Sequence, residues 1–348
     1  MTNRSDNSAQ PLVSIVTPVY NGANFLVECI ESVLNQTYQN WEYTIVDNCS
    51  TDGTAEIARQ YAAKDSRIKL HENQQFLRAI PNHNHALRQI SPASKYCKVV
   101  FGDDWIFPQC LEQMVMVAEE HPSIGIVSAY AIEGRRVAWT GLPYPSPFVS
   151  GRQICRQHFL EKLHVFGSAT TVLYRADLVR ACDHFFNEAN IHADTEVCFD
   201  LLRNSDFGFV HQVLTFTRVR DESLTAISND LLTSAGGMLY TLRAFGREYL
   251  SEDEFQACWN HLLSEYYEFL AKSTLEGRGA KFWEYHKGKL NELTSGFSLV
   301  RLAERMPKAI GSVVLAGSLR KIFRGRSKAA EKRIPVDTPT GLAAKELH

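Results

Sequence analysis

Two acidic clusters stand where short apolar runs stop. Tyr43 to Val46 (YTIV) ends in Asp47, Asn48, Cys49, Ser50, Thr51, Asp52 and Gly53, and Tyr96 to Phe101 (YCKVVF) runs into Gly102, Asp103 and Asp104. Carboxylates at the end of a strand can hold a divalent cation, and such a cation commonly bridges phosphate oxygens. The glycine signatures of other phosphate sites are missing: no G-x-G-x-x-G follows the first apolar run, and no G-x-x-x-x-G-K-[ST] occurs. This excludes a Rossmann dinucleotide turn and a P-loop and points to a nucleoside diphosphate ligand held by carboxylates.

The elements that must carry these clusters follow from periodicity. Val13 to Val19 (VSIVTPV) is short and β-branched, bounded by Pro11 and Asn21-Gly22, which suits a central strand buried on both faces. Phe25, Ile30, Val33 and Leu34 recur at near-helical spacing before Tyr43 to Val46, giving a β-α-β unit. The pattern continues with helices over Ala55 to Ala63, Asn82 to Ile90, Leu111 to Glu120 and about Thr195 to Arg203. Strands are expected at Ile68 to His71, Tyr96 to Phe101, Ile124 to Ala129, Ala169 to Tyr174 and around Phe207 to Phe216. Arg135 to Gly151, rich in Pro, Gly, Ser and aromatics, reads as a loop or insertion, and beyond Asn229 the pattern is helical. Such alternation predicts an open α/β sheet with helices on both faces and ligands at the carboxyl ends of its strands, where both acidic clusters fall.

Composition narrows the class further. With 348 residues, 45% hydrophobic, the chain can bury a core, and 37 Lys plus Arg against 39 Asp plus Glu give no global attraction to nucleic acid. Eight scattered cysteines without C-x-x-C pairs read as reduced thiols. The polar start has no apolar h-region and no run is long enough to span a bilayer, so a cytoplasmic protein is expected. Arg301 to Ile334 carries ten Lys or Arg against two Glu, mixed with apolar residues, a composition suited either to an anionic membrane surface or to a solvated helical tail.

Three motifs in order carry a family resemblance: Val13-Ser14-Ile15-Val16-Thr17-Pro18-Val19-Tyr20-Asn21, Ser32-Val33-Leu34-Asn35-Gln36-Thr37-Tyr38, and Ile45-Val46-Asp47-Asn48-Cys49-Ser50-Thr51-Asp52-Gly53-Thr54. Together they resemble the family 2 glycosyltransferases, inverting sugar-nucleotide enzymes of the GT-A fold. The likeness runs on through Gly102-Asp103-Asp104 and Ala193-Asp194-Thr195-Glu196, covering about residues 11 to 228. It implies a GT-A-like open, mostly parallel sheet sandwiched by helices, with a C-terminal helical extension. The expected layout is a leader over 1–10, the GT-A domain over 11–228, helices over 229–326 and a disordered tail over 327–348.

By that resemblance Thr17, Pro18 and Tyr20 line the nucleoside pocket, Asp47 and Asn48 contact base or ribose, and Arg78 and Asn82 lie near the diphosphate or sugar. Asp104 is the ligand of Mn²⁺ or Mg²⁺, and Asp103 lies nearer the ribose or donor sugar. Asp194 is the base that deprotonates the acceptor hydroxyl, with Glu196 the runner-up, and Arg220 in the closing loop touches the diphosphate. The partners implied are a UDP-sugar or related donor and a glycan or lipid-linked acceptor on the inner face of the membrane. The chain departs from the family at Asn48, Phe101 and Ala193, and Asp194 also suits a helix N-terminus for backbone reasons alone. A nucleotidyltransferase and a catalytically silent nucleotide-sugar binder are the competing readings.

Overall fold

The structure, a computed structural model, describes residues 10–219, 228 and 230–311. Among the described residues ten strands form one sheet: β1 (Val13–Val19), β2 (Trp41–Asp47), β3 (Ile68–Glu72), β4 (Tyr96–Val99), β5 (Trp105–Ile106), β6 (Ile124–Glu133), β7 (Arg136–Ala138), β8 (Phe148–Val149), β9 (Leu173–Arg175) and β10 (Asp206–Thr217). Their order is β3-β2-β1-β4-β9-β6-β10-β5, with β7 on β6 and β8 on β10. The helices in chain order are α1 (Leu26–Leu34), α2 (Thr54–Ala62), α3 (Ala79–Leu87), α4 (Cys110–Glu120), α5 (Gly151–Glu161), α6 (Ala176–Arg180), α7 (Ala193–Leu201), α8 (Ser234–Tyr249), α9 (Glu252–Leu275) and α10 (Ala280–Leu293).

Every residue of β1 is buried, as a strand between two parallel partners requires. Most of the paired length is parallel, and β9 runs antiparallel between β4 and β6. Three expectations shift, the first being the strand read over Ala169 to Tyr174, which is confined to Leu173–Arg175. The segment 135–151, read as loop, contains β7 and β8, because β6 extends to Glu133 and doubles back through Gly134, whose φ of +60° favours glycine. The helix expected from Asn82 begins at Ala79, with Pro81 tolerated in its first turn.

The chain divides into two compact units at Asn260/His261, with α9 running across the division. In the first unit α8 packs on the sheet-bearing body, with the Phe245 ring stacked on Phe199 at 5.7 Å. The second unit holds the end of α9, α10 and a helical stretch over residues 299–311, and its core includes a Tyr266 hydroxyl to His286 Nδ1 contact of 2.6 Å. Among the described residues no helix is long and apolar enough to cross a membrane.

Lys98 stands out in the middle of β4. It is fully buried, and among the described residues its ammonium reaches only the Val172 carbonyl at 3.3 Å and the Met114 sulfur at 3.6 Å. Burial holds its pKa below the ordinary lysine value, so near neutral pH the unfolded chain binds this proton more readily than the folded one. Lys98→Met removes that cost while keeping volume. The thermal midpoint of K98M should therefore exceed that of the parent by roughly 2–4 °C or more at pH 7, with the gain shrinking as pH approaches the ordinary lysine range. Thermal melts across pH check both.

Candidate active site

The parallel register sets Val19, Asp47 and Glu72 side by side at the carboxyl edge of β1, β2 and β3. β4 delivers the second cluster to the same edge, because Gly102 lies so close to β1 that a Cβ there would meet Val19 Cγ2 at 2.8 Å. Asp47 and the pair Asp103-Asp104 therefore flank the end of β1. Thr17, expected at the nucleoside pocket, is fully buried instead: its hydroxyl donates to Val100 O at 2.6 Å and meets Tyr43 Oη at 2.8 Å, tying β1 to its neighbours. Pro18 is also buried, whereas Tyr20 is half-exposed on the rim, edge-on to the exposed Phe76 at 4.9 Å.

Asn48 does not face open space. Its Nδ2 donates to Leu77 O at 2.8 Å and its Oδ1 accepts from Leu77 N at 2.9 Å and from Asn73 Nδ2 at 2.9 Å. Asn73 Nδ2 also donates to Asn82 Oδ1 at 2.9 Å, so the Asn82 carbonyl oxygen is held inside the same amide network. Arg78 is exposed and occupies the N-cap of α3 without a side-chain cap. Asp47 differs from all of these: it is buried, Oδ2 accepts from Ser50 N at 3.1 Å, and Oδ1 has no partner among the described residues.

Asp104 is held at both oxygens. Oδ2 accepts from Thr170 Oγ1 at 2.6 Å and Oδ1 from the Arg218 backbone N–H at 2.9 Å. The Arg218 guanidinium reaches back to Asp103 O at 3.1 Å and to Glu28 on α1 at 2.5 Å. Burial, with the neighbouring Asp103 carboxylate adding to it, pushes the Asp104 carboxyl up to about 7. Each oxygen keeps a lone pair, and a divalent cation would offset the repulsion between the two carboxylates. That chemistry suits a hard cation that takes its other ligands from phosphate and water. Among the described residues no group of three or more His, Cys, Asp or Glu could hold a metal alone.

Asp194 lies in the first turn of α7, half-buried, with Oδ1 accepting from Thr195 N at 2.8 Å. It is not the N-cap, which is His192. Burial raises its pKa above the usual carboxylate value, which makes its ionised form a stronger proton acceptor. Glu196, the runner-up, is engaged by Asn187 at 3.1 Å, Asn190 at 2.7 Å and Tyr240 at 2.9 Å, which fixes it as a structural acceptor. The His83 ring lies 4.7 Å from Phe101, beside the acidic pair, and 6.3 Å from Phe186. Arg220 lies outside the described residues. Sequence reasoning missed Asn73, Phe76 and Thr170, because a lone Asn, Phe or Thr in a loop carries no spacing signal.

An open α/β sheet with an acidic pair after its fourth strand is the GT-A architecture. Crystal structures of S. aureus TarS 1–349 with UDP-GlcNAc (TM-score 0.58, 20% identity, 74% of this chain and 73% of that one) have the same fold. So does the mannosyltransferase PcManGT of Pyrobaculum calidifontis with GDP-Man and Mn²⁺ (TM-score 0.54, 15% identity, 92% and 84%). In sequence, residues 14–182 match the model of Glycosyl transferase family 2. The chain is 37% identical over 153 residues to EpsE of Bacillus subtilis (strain 168), assigned as a glycosyltransferase, covering 42% of this chain and 54% of EpsE. It is 38% identical over 95 residues to TuaG of the same organism, assigned to teichuronic acid biosynthesis, covering 27% and 37%. The chain thus spans about half or less of the length of these curated relatives.

Thr170 gives this arrangement a direct check. Thr170→Val removes the donor to Asp104 Oδ2, whereas Thr170→Ser keeps it. In chelator, T170V should lose about 1–3 kcal/mol, more at pH 8, where Asp104 is ionised, than at pH 5, where it carries a proton. T170S should stay near the parent, and thermal melts at the two pH values measure the difference.

Proposed function

We propose that the protein is an inverting glycosyltransferase that moves a sugar from a nucleoside diphosphate to an acceptor hydroxyl, in assembly of a cell-surface polysaccharide or glycolipid. The observation that carries this reading is the convergence of Asp47 and Asp103-Asp104 around the end of β1, with Asp104 fixed at both oxygens. Tyr20 would cover the nucleobase, Asp47 would accept from base or ribose, and Asp103 would face the ribose or donor sugar. Arg78 and Arg220 would answer the charge of the diphosphate.

Asp104 would hold Mn²⁺ or Mg²⁺ together with the diphosphate, and the bound cation would supply charge stabilisation of the departing phosphate. Asp194 would take the proton of the acceptor hydroxyl while that oxygen attacks the anomeric carbon. The bond to the diphosphate breaks on the opposite face, so configuration inverts and the leaving group carries away the electron pair. The relatives and neighbours support the donor class: TarS binds UDP-GlcNAc, PcManGT binds GDP-Man with Mn²⁺, and EpsE and TuaG are assigned as glycosyltransferases.

The exposed Leu299, Val300 and Ile310, interleaved with Arg301, Arg305 and Lys308, would let residues 299–311 rest on an anionic membrane on the cytoplasmic side, near a lipid-linked acceptor.

A panel of UDP-, GDP- and dTDP-sugars with Mn²⁺ or Mg²⁺, scored for slow donor hydrolysis without acceptor, tests the activity. Asp194→Asn should lower turnover by about 10²–10⁴-fold and leave nucleotide affinity within about threefold. A silent binder would show no hydrolysis with any donor, and unchanged turnover in D194N would remove Asp194 from the mechanism.

A further inference from the structure

Asn73 follows β3 at the carboxyl edge, and all but one of its polar groups are occupied. Its N–H donates to Asp47 O at 2.9 Å and its carbonyl accepts from the Cys49 thiol at 3.2 Å. Its Nδ2 donates to Asn48 and Asn82, both at 2.9 Å. The orientation of this amide is forced. Asn48 meets both the N–H and the carbonyl of Leu77, which fixes its own Oδ1, and only an NH₂ group of Asn73 can face that oxygen. Among the described residues Asn73 Oδ1 is therefore left buried and without a donor, as is Asp47 Oδ1 on the adjoining strand. Tyr20, which follows β1, and Phe76, three residues after Asn73, are two exposed rings 4.9 Å apart and suited to a planar ligand.

Two buried acceptors at the ends of adjacent strands call for a ligand edge with two donors. The uracil edge offers one N–H between two carbonyl oxygens, so an acceptor set beside its N3–H partner would confront a carbonyl. Guanine offers N1–H and the N2 amino group side by side. We propose that the nucleobase read by this cleft is guanine, with Asp47 Oδ1 accepting from N1–H and Asn73 Oδ1 from the N2 amino group. Asn73 thereby sets donor specificity. This rests on the glycosyltransferase reading above and narrows its donor to a GDP-sugar.

The test is equilibrium binding of GDP, inosine diphosphate and UDP to the full chain in Mn²⁺, by calorimetry. Inosine diphosphate retains N1–H but lacks the N2 amino group. GDP should bind roughly tenfold or more tightly than UDP, with inosine diphosphate weaker than GDP. Asn73→Ala should abolish the difference between GDP and inosine diphosphate and, with the acceptor facing a uracil carbonyl removed, narrow the gap between GDP and UDP. The wild-type comparison stands even if N73A fails to fold. UDP binding as tight as GDP, or GDP and inosine diphosphate binding alike, overturns the guanine assignment and leaves the transferase reading intact. Failure of all three nucleotides to bind overturns both.

Discussion

A carboxylate withdrawn from water beside another carboxylate is the constraint on which the rest of the site depends. Asp104 is tolerated there because two groups from distant parts of the chain meet it, Thr170 before β9 and the Arg218 backbone after β10. Those contacts join the parallel half of the sheet, which ends in the acidic pair, to the mixed half that carries β6, β9 and β10. Thr170 also accepts from Phe101 N at 3.2 Å, so the turn that presents Asp103 is tied to the residue that orients Asp104. Arg218 extends the tie to α1 through Glu28 while lying 4.7 Å over the Phe25 ring. The acidic loop is thus preorganised by neighbours on three sides.

The molecule keeps several polar groups in states that folding alone would not favour. Asp47 Oδ1 and Asn73 Oδ1 are buried acceptors without donors, and Asp104 is held above its ordinary pKa. These groups gather at the carboxyl edge of the sheet, where a ligand would complete them. Lys98 and Tyr174, whose hydroxyl is also unpaired, lie within the sheet instead, where no ligand chemistry follows from them.

The parallel half of the fold was legible because β1, β2 and β4 are continuous apolar runs stopped by polar clusters, and the Asp47 and Asp103-Asp104 positions follow from those stops. β9 was harder to read: the apolar run Ala169 to Tyr174 suggests a longer strand, but only Leu173–Arg175 form it, antiparallel to β4 and β6. It is the family resemblance that places Thr17 and Asn48 at the ligand. The structure engages Thr17 with Val100 and Tyr43, and Asn48 with the Leu77 backbone, which no local pattern encodes. Asn73 could have been noticed only by counting the hydrogen bonds around it in three dimensions. At α7 the sequence allowed two carboxylates for one role, and only the three donors on Glu196 separate them.

The central claim is that the carboxyl edge around β1 binds a divalent cation and a nucleoside diphosphate as one unit. Electron paramagnetic resonance of free Mn²⁺ titrated with the full chain measures this most directly. The account predicts weak Mn²⁺ uptake by the protein alone, strong uptake when GDP or UDP is added, and loss of that cooperative uptake in Asp104→Ala. Nucleotide binding that persists undiminished in chelator and in D104A, with no linked Mn²⁺ uptake in the parent, would contradict it.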